Sequence, residues 1–154
     1  MSGGSNKVKY IAPFVHLIHG VDSLKLLQEI NKQAQKNNRV IDCLLQVFIA
    51  TEESKFGLDS TEVHALLESE IFQQLQNIRI VGLMGMASNT ENETQIRSEF
   101  KGLHSLFSEL QKQHSDFKHL SMGMSGDYPL AISEGSTMIR VGSLIFGARQ
   151  YSNL

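Results

Sequence analysis

The sequence predicts an α/β domain built on a parallel sheet with right-handed crossovers, and three observations carry that expectation. Short β-like runs alternate with longer amphipathic runs about five times along the chain. The run over residues 40–49 is almost continuously apolar, the pattern of a parallel strand covered on both faces. Met-Gly-Met recurs at Met84-Gly85-Met86 and Met122-Gly123-Met124, 38 residues apart and each time where a strand pattern ends. That spacing suits one βα unit.

Taken in order, residues 1–5 have little apolar content and are expected to form a flexible leader, with residues 6–154 as one domain. The first strand is predicted over residues 14–18, closed by His19-Gly20. Asp22 or Ser23 then offers an N-cap to a helix in which Leu24, Leu27, Ile30 and Ala34 share a face, and Asn37-Asn38 ends it. The strand over 40–49 gives way to a polar loop over 51–57. Val63, Leu66 and Leu67 restore the helical period, with Phe72 and Leu75 extending it. A third strand is predicted over 78–84. Behind it, Phe100, Leu103, Leu106, Phe107 and Leu110 mark the apolar face of a long helix. A fourth strand over 117–122 precedes a short helix over 128–134, stopped by Gly135. The last strand spans 138–141, followed by Gly142-Ser143 and one more short helix.

Bulk properties narrow the function. With 154 residues, 41% hydrophobic and 19% charged, the chain suits one soluble domain and not a disordered one. A formal charge of −2 with scattered basic residues gives no electrostatic reason for nucleic acid or an anionic membrane as partner. Cys43 is the only cysteine and lies in an apolar run, which predicts a buried core thiol and a reducing, cytoplasmic location. No apolar run approaches the roughly 20 residues that span a bilayer. The six histidines show no ligand spacing for a metal. His64, His104 and His114 sit in polar helical surroundings. His16 and His19, on or beside a strand, face either a pocket or the core.

Chemistry in a parallel α/β fold sits beyond the C-terminal ends of the strands, where loops and helix N-termini point. Two loops qualify. Ser121, Met122, Gly123, Met124, Ser125, Gly126 and Asp127 combine small residues and hydroxyls with a helix start just before Pro129. Arg140, Val141, Gly142 and Ser143 place a cation on the last strand and a Gly-Ser pair after it. Glycines admit a close backbone approach and serines add donors, so the pair can form an anion cradle; both are equally at home in tight βα turns. Arg140 must meet an anion, a ring nitrogen, solvent, or a structural partner such as Glu134 or Asp127, because an unpaired buried cation is costly.

The run Ser121-Met122-Gly123-Met124-Ser125-x-Asp127, continued by Gly135-Ser136-Thr137-Met138-x-Arg140-x-Gly142-Ser143-x-x-Phe146-Gly147-x-Arg149, resembles the C-terminal signature of the pyridoxal-phosphate homeostasis proteins. These are single-domain relatives of the alanine racemase N-terminal barrel. Glu53-Ser54-Lys55-Phe56-Gly57 and Gly82-Leu83-Met84-Gly85-Met86-Ala87 resemble its central loops, and residues 5–9 the segment after its third strand. The resemblance implies about five βα units of a TIM-type (β/α)8 barrel. Five strands cannot close such a barrel, so they form an incomplete barrel, rearrange into a doubly wound parallel sheet, or are completed by oligomerisation. It also implies a pyridoxal 5′-phosphate site, with Ser121, Met122, Gly123, Ser125, Gly142 and Ser143 around the phosphate and Arg140 at the pyridine nitrogen.

In that family the lysine that bonds the cofactor aldehyde lies on the first strand, upstream of the matched segment. Lys7, Lys9 and Lys55 do not match it. The expectation is therefore a cofactor carrier, not an enzyme, that binds pyridoxal phosphate non-covalently. A racemase- or isomerase-like enzyme and a non-binding structural fragment are the alternatives. Its partners are a small phosphate-bearing ligand and a second copy of the chain, since an open edge and an apolar inward face favour a homo-oligomer.

Overall fold

The computed structural model describes residues 2–51, 57–141 and 144–147. In chain order the elements are α1 (Ser2–Ile11), β1 (Leu17–Val21), α2 (Leu24–Lys36), β2 (Ile41–Gln46), α3 (Ser60–Glu68), α4 (Glu70–Gln73), β3 (Ile78–Gly85), α5 (Glu93–Gln111), β4 (His119–Met124), α6 (Tyr128–Ser133), β5 (Met138–Val141) and β6 (Leu144–Gly147). The sheet order repeats the chain order. β1 to β5 are all parallel, and β6 returns antiparallel to β5. The five parallel strands curl into half of a TIM-type barrel. A doubly wound sheet needs a point where strand order reverses, and this sheet has none.

Alternation along each strand separates two apolar layers. Cys43, Leu45, Leu83, Leu120 and Met122 face the helices and pack with Leu27, Ile30, Val63, Phe100, Leu103 and Leu110 in the main core. Leu44, Val81, Met84 and Met138 face the concave side, joined by Leu17, in a second and smaller cluster. The concave face was expected to lie open. Instead the curl of the sheet buries these four to between 0% and 5% exposure, so the half-barrel covers part of its own inner face.

α2, α3 and α5 form where the apolar spacing placed them. Ser23 caps α2, its Oγ accepting from the Leu26 N–H at 3.1 Å, and Asn38 leaves the helix at a φ of 54°. α3 opens on a reciprocal capping box between Asp59 and Glu62. Ser69 separates α4 from α3, so Phe72 continues the face on a new helix. Cys43 is buried as expected. Burial, then the charge of Asp42, pushes its thiol up to about 12, which leaves no thiolate near neutral pH.

Five elements differ from expectation. β2 is Ile41–Gln46 and ends three residues short of the apolar run, Val47 keeping only an isolated bridge to Leu58. β1 is Leu17–Val21, because Phe14 and Val15 are drawn into the turn that closes α1. Arg39 holds that turn, donating from Nη1 to the Ala12 carbonyl and from Nη2 to the Val15 carbonyl at 2.6 Å each. Residues 2–5 belong to α1 and not to a leader; their poor helix propensity is carried by the anchor of Val8 and Ala12, both buried. β4 runs His119–Met124, two residues later than predicted, because Phe117 turns into the core beside Phe107. The segment after Gly142-Ser143 is β6, not a helix. Its Leu-Ile-Phe run suits a strand, and it pairs Ile139 with Phe146 and Arg140 with Ile145.

Candidate functional site

The C-terminal ends of β4 and β5 come together around a hydroxyl clasp. Ser136 Oγ donates to the Met122 carbonyl at 2.7 Å and accepts from the Met122 N–H at 3.4 Å. Thr137 Oγ1 accepts from the Leu120 N–H at 2.8 Å. Side-chain oxygens thus supplement the ladder at the irregular register between Ser121 and Met124. The alternation set by Leu120 and Met122, both in the main core, turns Ser121 to the concave side, where it is buried and level with Met84 and Met138.

Gly123 sits at a φ of +105°, and a Cβ there would lie 2.6 Å from that of Ala131 and 3.1 Å from Ile139 Cγ2. Glycine is therefore required so that α6 can pack against the ends of β4 and β5. Ser125 and Gly126 are exposed in the turn that follows. Asp127 closes that turn, Oδ1 accepting from the Met124 N–H at 2.7 Å. Met122, expected at the site, sends its side chain into the main core and can offer a ligand only its main chain. Gly142 and Ser143 lie outside the described residues.

Arg140 shares its face with Met138, which packs in the concave cluster, while Ile139 points toward α6. Neither carboxylate that could pair with it does so. Glu134 accepts from Arg97 at 3.0 Å, and Asp127 is spent on its turn. Among the described residues Arg140 has no carboxylate partner. His19 faces the same concavity from β1, and its Nδ1 is buried without a hydrogen-bond partner. Burial, then the positive charges of Arg140 and His119, holds its pKa down to about 4, so the ring is neutral near pH 7. Burial also lowers the pKa of His119, against the pull of Asp42. Asp42 in turn pairs with Arg79 at 2.9 Å, at the N-terminal end of the strands.

At the C-terminal ends of β2 and β3 a second polar set appears. Glu99, buried on α5, accepts from the Ser88 N–H and from Ser88 Oγ at 2.7 Å each, and from Gln95 at 3.2 Å. Ser88 Oγ accepts from the Thr51 N–H at 2.8 Å, which ties the loop after β2 to the loop after β3. A cavity of about 530 Å³ opens beside this network, lined by Phe48, Thr51, Asp59, Glu99, Gly102 and Glu109. It lies on the helical side of the sheet, away from Arg140, and its carboxylates disfavour an anion. Among the described residues there is no cluster of metal-binding side chains and no helix long and apolar enough to cross a membrane.

Comparisons with known proteins identify the family and the fold. The family described as alanine racemase, N-terminal domain, matches residues 4–150. The pyridoxal phosphate homeostasis protein of Aquifex aeolicus is 42% identical over 148 residues, covering 96% of this chain and 64% of that protein. The structure of PipY from Synechococcus elongatus determined without PLP superimposes with a TM-score of 0.80 at 35% identity, over 90% of this chain and 64% of PipY. Its structure with PLP bound superimposes with a TM-score of 0.76 at 33% identity. The chain thus spans a little under two thirds of these relatives, and the half-barrel it forms corresponds to that share. On its sequence match and its fold, the chain belongs to the alanine racemase N-terminal domain family.

Proposed function

We propose that this chain is a carrier-type module for pyridoxal 5′-phosphate that holds the cofactor non-covalently and catalyses no reaction. The observation that carries the reading is Arg140, a cation on the concave face with no carboxylate partner among the described residues. In this reading Arg140 meets the pyridine nitrogen. Ser121, Ser125, Gly142 and Ser143, with the main chain at Met122 and Gly123, surround the phosphate beside the start of α6. The bound group supplies an aldehyde and an electron-withdrawing ring. An arginine at the ring nitrogen does not protonate it, which weakens the ring as an electron sink and suits storage better than turnover.

Where the described lysines sit supports non-covalent binding. None of the six strands carries one: Lys7 and Lys9 are on α1, Lys25, Lys32 and Lys36 on α2, Lys101 on α5, and Lys112 and Lys118 flank the loop before β4, while Lys55, in the loop after β2, lies outside the described residues. A lysine on the outer helices cannot reach the concave face. The relatives are named homeostasis proteins, which accords with a carrier.

The test is titration with pyridoxal phosphate in competition with inorganic phosphate, followed by borohydride reduction and peptide mapping. One cofactor per chain should bind, phosphate should displace it, dialysis should remove it, and reduction should label lysines sparsely and without preference. Arg140→Glu should weaken binding at least about tenfold, a loss of roughly 1.4 kcal/mol. Stoichiometric labelling of a single lysine, or no saturable binding, would reject the carrier.

We also propose that the chain self-associates through β1. Among the described residues that strand pairs with β2 alone, and its other side presents backbone groups with no strand beside them. Sedimentation equilibrium should give a mass above that of one chain, and a monomer at all concentrations would rule the dimer out.

A further inference from the structure

We infer that His19 is a ligand-contacting residue of the concave face, its Nδ1 pairing with the phenolic oxygen of pyridoxal phosphate bound beside Arg140. The inference rests on the carrier reading and names a contact that reading does not contain.

The placement is built into β1. Leu17 packs in the concave cluster and Ile18 against the main core, so alternation turns His19 inward. Val21 is buried in the main core, two residues after His19 and not one. The extra residue is Gly20, at a φ of +72°, where the pairing register with β2 shifts. A side chain at Gly20 would come to 3.0 Å from the Gln46 amide oxygen. The bulge therefore keeps Val21 in the core while leaving His19 directed into the concavity.

The nitrogen itself requires a partner. Buried side-chain polar atoms are nearly always hydrogen-bonded, and among the described residues His19 Nδ1 is the one such atom without a partner. The charged groups that face it from the packed strands are Arg140 on β5 and His119 on β4, both of which disfavour a second proton on the ring. A neutral imidazole has one N–H and one lone pair. In one tautomer Nδ1 accepts from a phenol, and in the other it donates to a phenolate, so either ionisation state of the ligand is served.

The chemistry of the ligand selects the atom. If the phosphate lies at the ends of β4 and β5 and Arg140 meets the ring nitrogen, the ring edge farthest from the phosphate arm would face across the concavity toward β1. That edge carries a methyl group and the phenolic oxygen, and only the oxygen can satisfy a buried nitrogen.

The experiment measures dissociation constants for pyridoxal phosphate, its 3-O-methyl analogue and inorganic phosphate against the wild type, His19→Asn, His19→Gln and His19→Phe, each checked for a cooperative melt. Asparagine places an amide near the Nδ1 position, whereas glutamine reaches the Nε2 position. His19→Phe should raise the constant for pyridoxal phosphate about tenfold and leave that for phosphate unchanged. His19→Asn should recover to within about threefold of wild type and His19→Gln should not. The analogue should bind wild type and His19→Phe alike. Unchanged pyridoxal phosphate affinity in a folded His19→Phe, no rescue by asparagine, or an equal loss for phosphate would overturn the assignment and leave the carrier reading intact. A wild type that binds phosphate but not pyridoxal phosphate would overturn both.

Discussion

Gly82→Ala is expected to unfold the protein or lower its stability by about 4 kcal/mol or more, in the range reserved for backbone-level clashes in a core. Gly82 lies in the middle of β3, just past the irregularity where Val81 is accommodated opposite β2. A Cβ at this position would overlap the carbonyl oxygen of His119 and lie 2.7 Å from its carbonyl carbon. Both are main-chain atoms of the neighbouring strand, so no side chain can rotate away. β3 and β4 would have to separate, breaking the pairing from Gly82–His119 to Gly85–Met122. Gly102→Ala is the matched control: a Cβ there meets nothing within 4 Å, and alanine favours α5 by roughly 0.5–1 kcal/mol. Urea denaturation of the two variants should move the midpoint in opposite directions. Equal, small shifts would show that the strands are not in this register.

Stability should also fall by about 3 kcal/mol between pH 6.5 and pH 4 because of His19 alone. Its folded pKa of about 4 lies below the unfolded value of 6.5. Within that window the unfolded chain binds a proton that the native fold rejects. The stabilisation is present above pH 6.5, declines as pH falls, and is gone below about pH 4. His119 adds in the same sense, its own pKa being lowered chiefly by burial. His19→Asn removes the titrating group and should flatten this part of the profile, measured by urea midpoints at half-unit pH steps. A profile with the same slope in the variant would place the titration elsewhere.

α2 and α5 were legible because each buries one continuous stripe, and Leu27, Ile30 and Ala34 or Leu103, Phe107 and Leu110 can be read by spacing alone. Strand ends were less so. β1 includes His19 and Gly20, which resemble a turn in composition and become strand only because β2 supplies the pairing. α1 was missed for a similar reason, since Ser-Gly-Gly-Ser carries no helical signal of its own. At the site, Ser121 and Arg140 fall on one concave face as the strand alternation required, whereas Met122 is one residue out of phase and belongs to the core. Glu99 was overlooked although a signal existed. It occupies a buried-face position between Ile96 and Leu103, where an ordinary surface glutamate has no place. The importance of Nδ1 on His19 had no sequence signal, because the absence of a partner is a property of the assembled face.

Because the strands lie side by side in the order in which they are made, each has its partner already in place when it leaves the ribosome. No strand waits for a distant one, so loop closure costs little and the sheet can grow as a zipper from β1 toward β5. The elements that bear Ser121 and Arg140 join after β1 to β3, and β5 is held on its far side only by the four-residue β6. Local opening should begin there, and amide exchange should be faster in β4 and β5 than in β2 and β3. A ligand gripping both late strands would act as a bolt on the loose end of the zipper, slowing its release far more than it changes the rest of the fold.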